Sequence, residues 1–118
     1  MIVYFSADLM SGSRVQGPAN AQGIALKIYG SQKACLEALN DDISALVVDL
    51  NPPARDAIST IQEARAQHAD LRNLVHGPHV QVDMLKAAKE AGASEVLTNG
   101  QFHQQVEAIL VGLENPPV

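Results

Sequence analysis

Tryptophan is missing from this chain, and two tyrosines and two phenylalanines make up its whole aromatic content, 3% of 118 residues. A core of ordinary size must then be built from Val, Ile, Leu and Ala, which suits a parallel sheet covered by Ala-rich helices. Cys35 stands alone, which excludes an internal disulfide and fits a reducing, cytoplasmic setting. Basic residues are also few. Eight Lys and Arg against 13 Asp and Glu give a formal charge of -5 with no basic run, so nucleic acid and anionic membrane are set aside as partners. No apolar stretch reaches membrane-spanning length, and Met1 leads into an apolar run without the basic flank or cleavage pattern of a leader.

Apolar residues at 47% and charged residues at 18% describe a globular protein. The length allows one domain with a real core, expected over residues 1–113, with 114–118 as a frayed tail. Hydrophobic spacing gives alternating strand and helix signals. Ile2 to Phe5 is continuously apolar, as in a central strand, whereas Ile24 to Tyr29 alternates like a half-exposed edge. Ile43 to Leu50, Leu71 to His76 and Ser94 to Thr98 supply three further strands.

Helices are expected from Ser31, as N-cap, through Leu39; from Arg55 to about Ala69; and from Val80 to Ala91 with Gly92 at the C-terminal cap. From Phe102 onward, Phe102, Val106, Ile109, Leu110 and Leu113 form a helical stripe. Residues 8–23 must also form a helix, with Asp8 as its N-cap, yet Gly12, Gly17 and Pro18 oppose one. A kink or break is therefore expected near Gly17. Strands each followed by a helix give an α/β fold: a doubly wound, five-stranded parallel sheet of the flavodoxin-like order 2-1-3-4-5. Ligands on such sheets sit at the carboxyl ends of the strands. The candidate rim is then Ser6, Asp8, Ser13, Arg14, Asp49, Asn51, His76, His79, Thr98 and Asn99.

The segment Leu46-Val47-Val48-Asp49-Leu50-Asn51-Pro52-Pro53 ends an apolar strand in a carboxylate, an amide and two prolines. With Ala87-Ala88-Lys89-Glu90-Ala91-Gly92-Ala93-Ser94-Glu95-Val96-Leu97-Thr98, it resembles the bacterial response-regulator receiver domain over nearly the whole chain. The resemblance makes Asp49 the equivalent of the phosphoacceptor. It also implies departures. The acid pair that holds Mg²⁺ falls on Ser6 and Ala7, with Asp8 one residue late; the hydroxyl after strand four falls on Gly77; the lysine after strand five falls on Asn99; and the aromatic switch falls on Val96. A carboxylate attacking a phosphoryl group brings anions together and needs a hard cation with oxygen ligands. The expectation is thus a degenerate receiver: a non-enzymatic signalling or regulatory module without metal or cofactor.

The resemblance implies contact with a protein partner or a second copy through the fourth helix, fifth strand and fifth helix, a surface holding Lys86, Lys89, Glu90, Glu95, Gln101, Gln104 and Gln105. Two alternatives stand beside it. One is a sensor binding a small polar ligand at Asp8, Asp49 and His79; the other is a receiver that is still phosphorylated. Asp49 also suits a plain role capping the following helix or bonding loop amides, and Arg14 is placed to reach it as a counter-charge replacing the lysine. His76-Gly77-Pro78-His79 reads as a turn whose histidines bond backbone or aspartate, since His68 and His103 offer no second half of a metal motif. Cys35 lies on an apolar helix face and reads as a buried, inert thiol.

Overall fold

All four residues of β1 (Ile2–Phe5) are buried, as a continuous apolar run in the centre of a parallel sheet requires. The computed structural model describes residues 1–115. After β1 come α1 (Leu9–Ala21), β2 (Leu26–Tyr29), α2 (Gln32–Ala38), β3 (Ala45–Asp49), α3 (Ala57–Gln67), β4 (Arg72–Gly77), α4 (Val82–Ala91), β5 (Glu95–Thr98), α5 (Asn99–Gln104) and α6 (Val106–Glu114). The strands pair in parallel in the order β2-β1-β3-β4-β5. This is the flavodoxin-like arrangement read from the sequence.

Alternation along the strands divides the core in two. Val3, Phe5, Leu46, Val48 and Val75 meet Cys35, Ile61, Ala64 and Ala88 from α2, α3 and α4. Ile2, Tyr4, Ala45, Val47 and Leu74 meet Val15 and Ala19 from α1 and Phe102, Leu110 and Leu113 from α5 and α6. The scarcity of aromatics is misleading as to their use. Tyr4, Phe5 and Phe102 are among the largest fully buried side chains, each worth roughly 1.5–3 kcal/mol relative to an exposed position. Burial pushes the Cys35 thiol up to about 12, which leaves it inert.

Local chemistry sets the helix ends. Ser31 caps α2 by accepting from the Ala34 amide at 3.2 Å, and Asp8 caps α1 by accepting from the Met10 amide at 3.0 Å. The expected break in α1 is absent: the helix runs through Gly17 and Pro18 to Ala21. Gly17 carries no Cβ to collide with the proline ring, and fully buried Val15 and Ala19 anchor the helix on the sheet. Gly12 serves close packing, because a Cβ there would stand 3.0 Å from Ile28 Cδ1. The single final helix expected from the Phe102 stripe is instead two, α5 and α6, separated at Gln105 with φ -128° and ψ 25°. That turn lets Phe102 enter the core while Leu110 and Leu113 keep the same face. Glu114 ends α6 and pairs with the Met1 ammonium at 3.1 Å; of the expected tail, residues 116–118 lie outside the described residues.

Gly92 closes α4 with φ +118°, and a Cβ there would stand 3.0 Å from Arg65 Cγ. Arg65 also donates to the Gly92 carbonyl from Nε at 2.9 Å and Nη2 at 2.6 Å. Gly92→Ala is therefore expected to cost at least about 1–2 kcal/mol in urea unfolding. Gly112→Ala, in α6 where a Cβ meets nothing within 4 Å, should instead gain about 0.5–1 kcal/mol.

Candidate functional site

The carboxyl ends of β1, β3, β4 and the β5–α5 junction bring Ser6, Asp49, His76 and Asn99 together, with Asn51 from the β3–α3 loop. Asp49 is only 2% exposed, so its carboxylate depends on protein donors. Oδ2 lies 2.7 Å from the Ser6 hydroxyl. Oδ1 accepts from the Asn51 backbone amide at 2.8 Å and from Asn51 Nδ2 at 2.6 Å. Each hydrogen bond to a charged group of this kind contributes about 1.5–3 kcal/mol. Of the two plain roles expected for Asp49, it bonds a loop amide, whereas the cap position of α3 is held by Asp56.

Ser6 Oγ also lies 2.9 Å from the Asp8 carbonyl and accepts from the Asp8 amide at 3.0 Å. Its single proton is directed to the closer and charged partner, Asp49. The Asp8 carboxylate accepts from the Met10 amide and, through Oδ2, from the Ser11 hydroxyl at 3.2 Å.

From Asp49 the bonding continues inward. Asn51 and Asn99 form a reciprocal amide pair: Asn99 Nδ2 donates to Asn51 Oδ1 at 2.6 Å, and Asn51 Nδ2 reaches Asn99 Oδ1 at 3.2 Å. Asn99 Oδ1 lies 2.9 Å from His76 Nδ1, and His76 Nε2 lies 2.8 Å from Tyr4 Oη. The His76 ring, with no exposed surface, lies parallel to Phe102 at 4.1 Å and 5°. Burial holds His76 neutral, below its ordinary 6.5, more strongly than the Asn99 bond and the Asp49 charge raise it. Burial likewise raises Tyr4, aided by the Asp49 and Asp8 charges, so the phenol keeps its proton.

Above the Asn51–Asn99 pair lies a cavity of about 190 Å³ lined by Asp8, Met10, Ser11, Arg14, Asn51, Asn99 and His103. Burial and the neighbouring Arg14 cation lower His103, against the opposing pull of Asp49. A larger cavity of about 360 Å³ lies at the other end of the sheet, between loops that include Asn40, Asp41, His68 and Asp70, away from this network.

Several sequence-based expectations change here. Arg14 is exposed and lines the cavity, but it forms no ion pair with Asp49, whose oxygens are already occupied by neutral donors. His79 is exposed and absent from the cavity wall; His103 takes the place expected for it. His76 lies in β4, within the fourth strand expected from Leu71 to His76, but its ring bonds Tyr4 and Asn99, not backbone or aspartate. Thr98 caps α5, accepting from the Gln101 amide at 3.2 Å, and Ser13 is exposed on α1 outside the cavity wall. Tyr4, Phe102 and His103 were missed, although Phe102 had been placed in the helical stripe next to His103.

Because both histidines sit below their ordinary 6.5 when folded, the unfolded chain takes up protons first as pH falls. Their contribution to stability is fully present above 6.5 and is lost as pH falls below it. Urea midpoints are expected to fall between about pH 7.5 and about pH 5.5. His76→Gln should lower the midpoint throughout and flatten its pH dependence.

No protein-family model matches the chain, and no curated protein matches it. Solved structures do. The receiver domain of NtrX from Brucella abortus superimposes with a TM-score of 0.83 at 16% identity, covering 99% of this chain and 100% of its own. A response-regulator receiver domain from Clostridium thermocellum gives 0.80 at 14% identity, covering 97% and 93%. The beryllofluoride-activated DrrB receiver domain gives 0.78 at 13% identity, covering 96% and 95%. The chain has the fold of the response-regulator receiver domains.

Proposed function

We propose that this chain is a non-enzymatic, cytoplasmic signalling module on the receiver fold that has lost metal-dependent phosphorylation of its aspartate. The observation that carries this reading is the way Asp49 is satisfied. Its two oxygens take a hydroxyl, a backbone amide and a side-chain amide, all neutral, and among the described residues it forms no ion pair. Phosphoryl transfer depends on positive charge at the transferring group. Here Asn99 stands where the resemblance places a lysine, with its amide committed to Asn51 and His76.

The residues present do not fit the hard divalent cation of that chemistry. Ser6, at one of the two expected acid positions, offers a neutral hydroxyl directed at Asp49, and both Asp8 oxygens already accept hydrogen bonds. Gly77 supports the same reading: a hydroxyl-bearing side chain there would begin with a Cβ 2.8 Å from Leu50 Cβ. With phosphorylation gone, function rests on surfaces. A protein partner or second copy would engage the face of α4, β5 and α5, where Lys86, Lys89, Glu90, Glu95, Gln101, Gln104 and Gln105 are all exposed. The polar cavity of about 190 Å³ supports a second reading, a sensor of a small polar ligand.

The deciding experiment is a heteronuclear NMR titration with Mg²⁺, then with Mg²⁺ and beryllofluoride. The proposal expects no shifts at millimolar Mg²⁺ in either step. Shifts centred on Asp49, Asn51 and Asn99 that vanish in Asp49→Asn would show a working phosphorylation site.

A further inference from the structure

We propose that the ionised carboxylate of Asp49 sets the tautomer of the buried His76 through the amides of Asn51 and Asn99, carrying the state of the rim to the ring stack beneath α5. The proposal rests on the preceding reading of Asp49 as an unmodified carboxylate. It begins with the 2.6 Å contact between Asp49 Oδ1 and the Asn51 amide nitrogen. An ionised carboxylate only accepts, so Asn51 must turn its nitrogen to Asp49 and its oxygen to Asn99. That oxygen takes a proton from Asn99 Nδ2 at 2.6 Å, which turns Asn99 Oδ1 toward His76 Nδ1 at 2.9 Å. An amide oxygen also only accepts, so Nδ1 carries the ring proton. The neutral ring then offers its lone pair at Nε2, to which Tyr4 donates at 2.8 Å.

Every contact in this chain has one donor and one acceptor, and the reverse direction fails. Flipping Asn99 alone sets two NH₂ groups 3.2 Å apart and two carbonyl oxygens 2.6 Å apart. Flipping both amides sets the Asn51 oxygen 2.6 Å from the Asp49 carboxylate. Only the rim end enforces the direction. Tyr4, at the other end, carries a hydroxyl that donates or accepts equally well.

Two kinds of event release the constraint: neutralisation of Asp49, or a group in the rim cavity that takes over the Asn51 amide. The charged and titratable groups that face this region are Asp8, Arg14 and His103 around the cavity and Tyr4 inside. The proton changes place on a ring that lies parallel to Phe102 at 4.1 Å and 5.5 Å from the His103 ring, both of them side chains of α5.

The test is long-range proton–nitrogen NMR of the histidine rings in the whole chain without Mg²⁺, so that it is read separately from the phosphorylation titration. Wild type is expected to show His76 protonated at Nδ1 and bare at Nε2. Tyr4→Phe should keep that pattern, because the direction is set from the rim. Asn51→Ala, which cuts the chain in a loop and leaves the core side chains untouched, should raise the Nε2–H form several-fold. An Nε2–H ring in wild type or in Tyr4→Phe would overturn the proposal, as would an unchanged Nδ1–H ring in folded Asn51→Ala. Should Asn51→Ala fail to fold, the wild-type and Tyr4→Phe spectra still decide it.

Discussion

A carboxylate with 2% exposure must find its hydrogen-bond partners within the protein, and the rim of this sheet is arranged around that requirement. Asp49 ends β3 between β1 and β4, so its neighbours come from elements far apart in sequence: Ser6 after β1, Asn51 after β3 and, through Asn51, Asn99 after β5. Each of these side chains is fixed by the others. Loss of one partner leaves a buried acceptor short of a donor, at a cost of about 1–3 kcal/mol or more when the group is charged.

The same requirement explains the character of the site. A hydroxyl, a backbone amide and a side-chain amide, all neutral, satisfy the aspartate. The resulting network is polar at the surface and aromatic inside, passing from Asp49 through two amides to an imidazole between Tyr4 and Phe102. Its inner half lies in the core beneath α5 and α6, in the packing that gives those helices their place on the sheet.

Much of the architecture was legible because it depends on short-range pattern. The apolar run of β1, the alternation around β2, the caps at Asp8, Ser31 and Gly92 and the carboxylate at the end of β3 are each written in a few adjacent residues. The stripe from Phe102 to Leu113 was legible as a buried face but not as two helices, since the turn at Gln105 answers to the seat of Phe102 against His76. Gly17 and Pro18 read as a break because propensity says nothing of the packing of Val15 and Ala19. At the site, Asp49, Asn51, Ser6, His76 and Asn99 were reached through topology and resemblance. Tyr4, Phe102 and His103 were not. The choice of His103 over His79, and the failure of Arg14 to pair with Asp49, depend on side-chain directions that spacing does not carry.

The measurement that bears most directly on the central claim is the intact mass of the protein after incubation with Mg²⁺ and a small-molecule phosphodonor. An aspartate held by neutral hydrogen bonds, with Ser6 and Asn99 at the positions where the resemblance expects an acid and a lysine, predicts an unchanged mass. Addition of one phosphoryl group, absent from Asp49→Asn, would contradict the account.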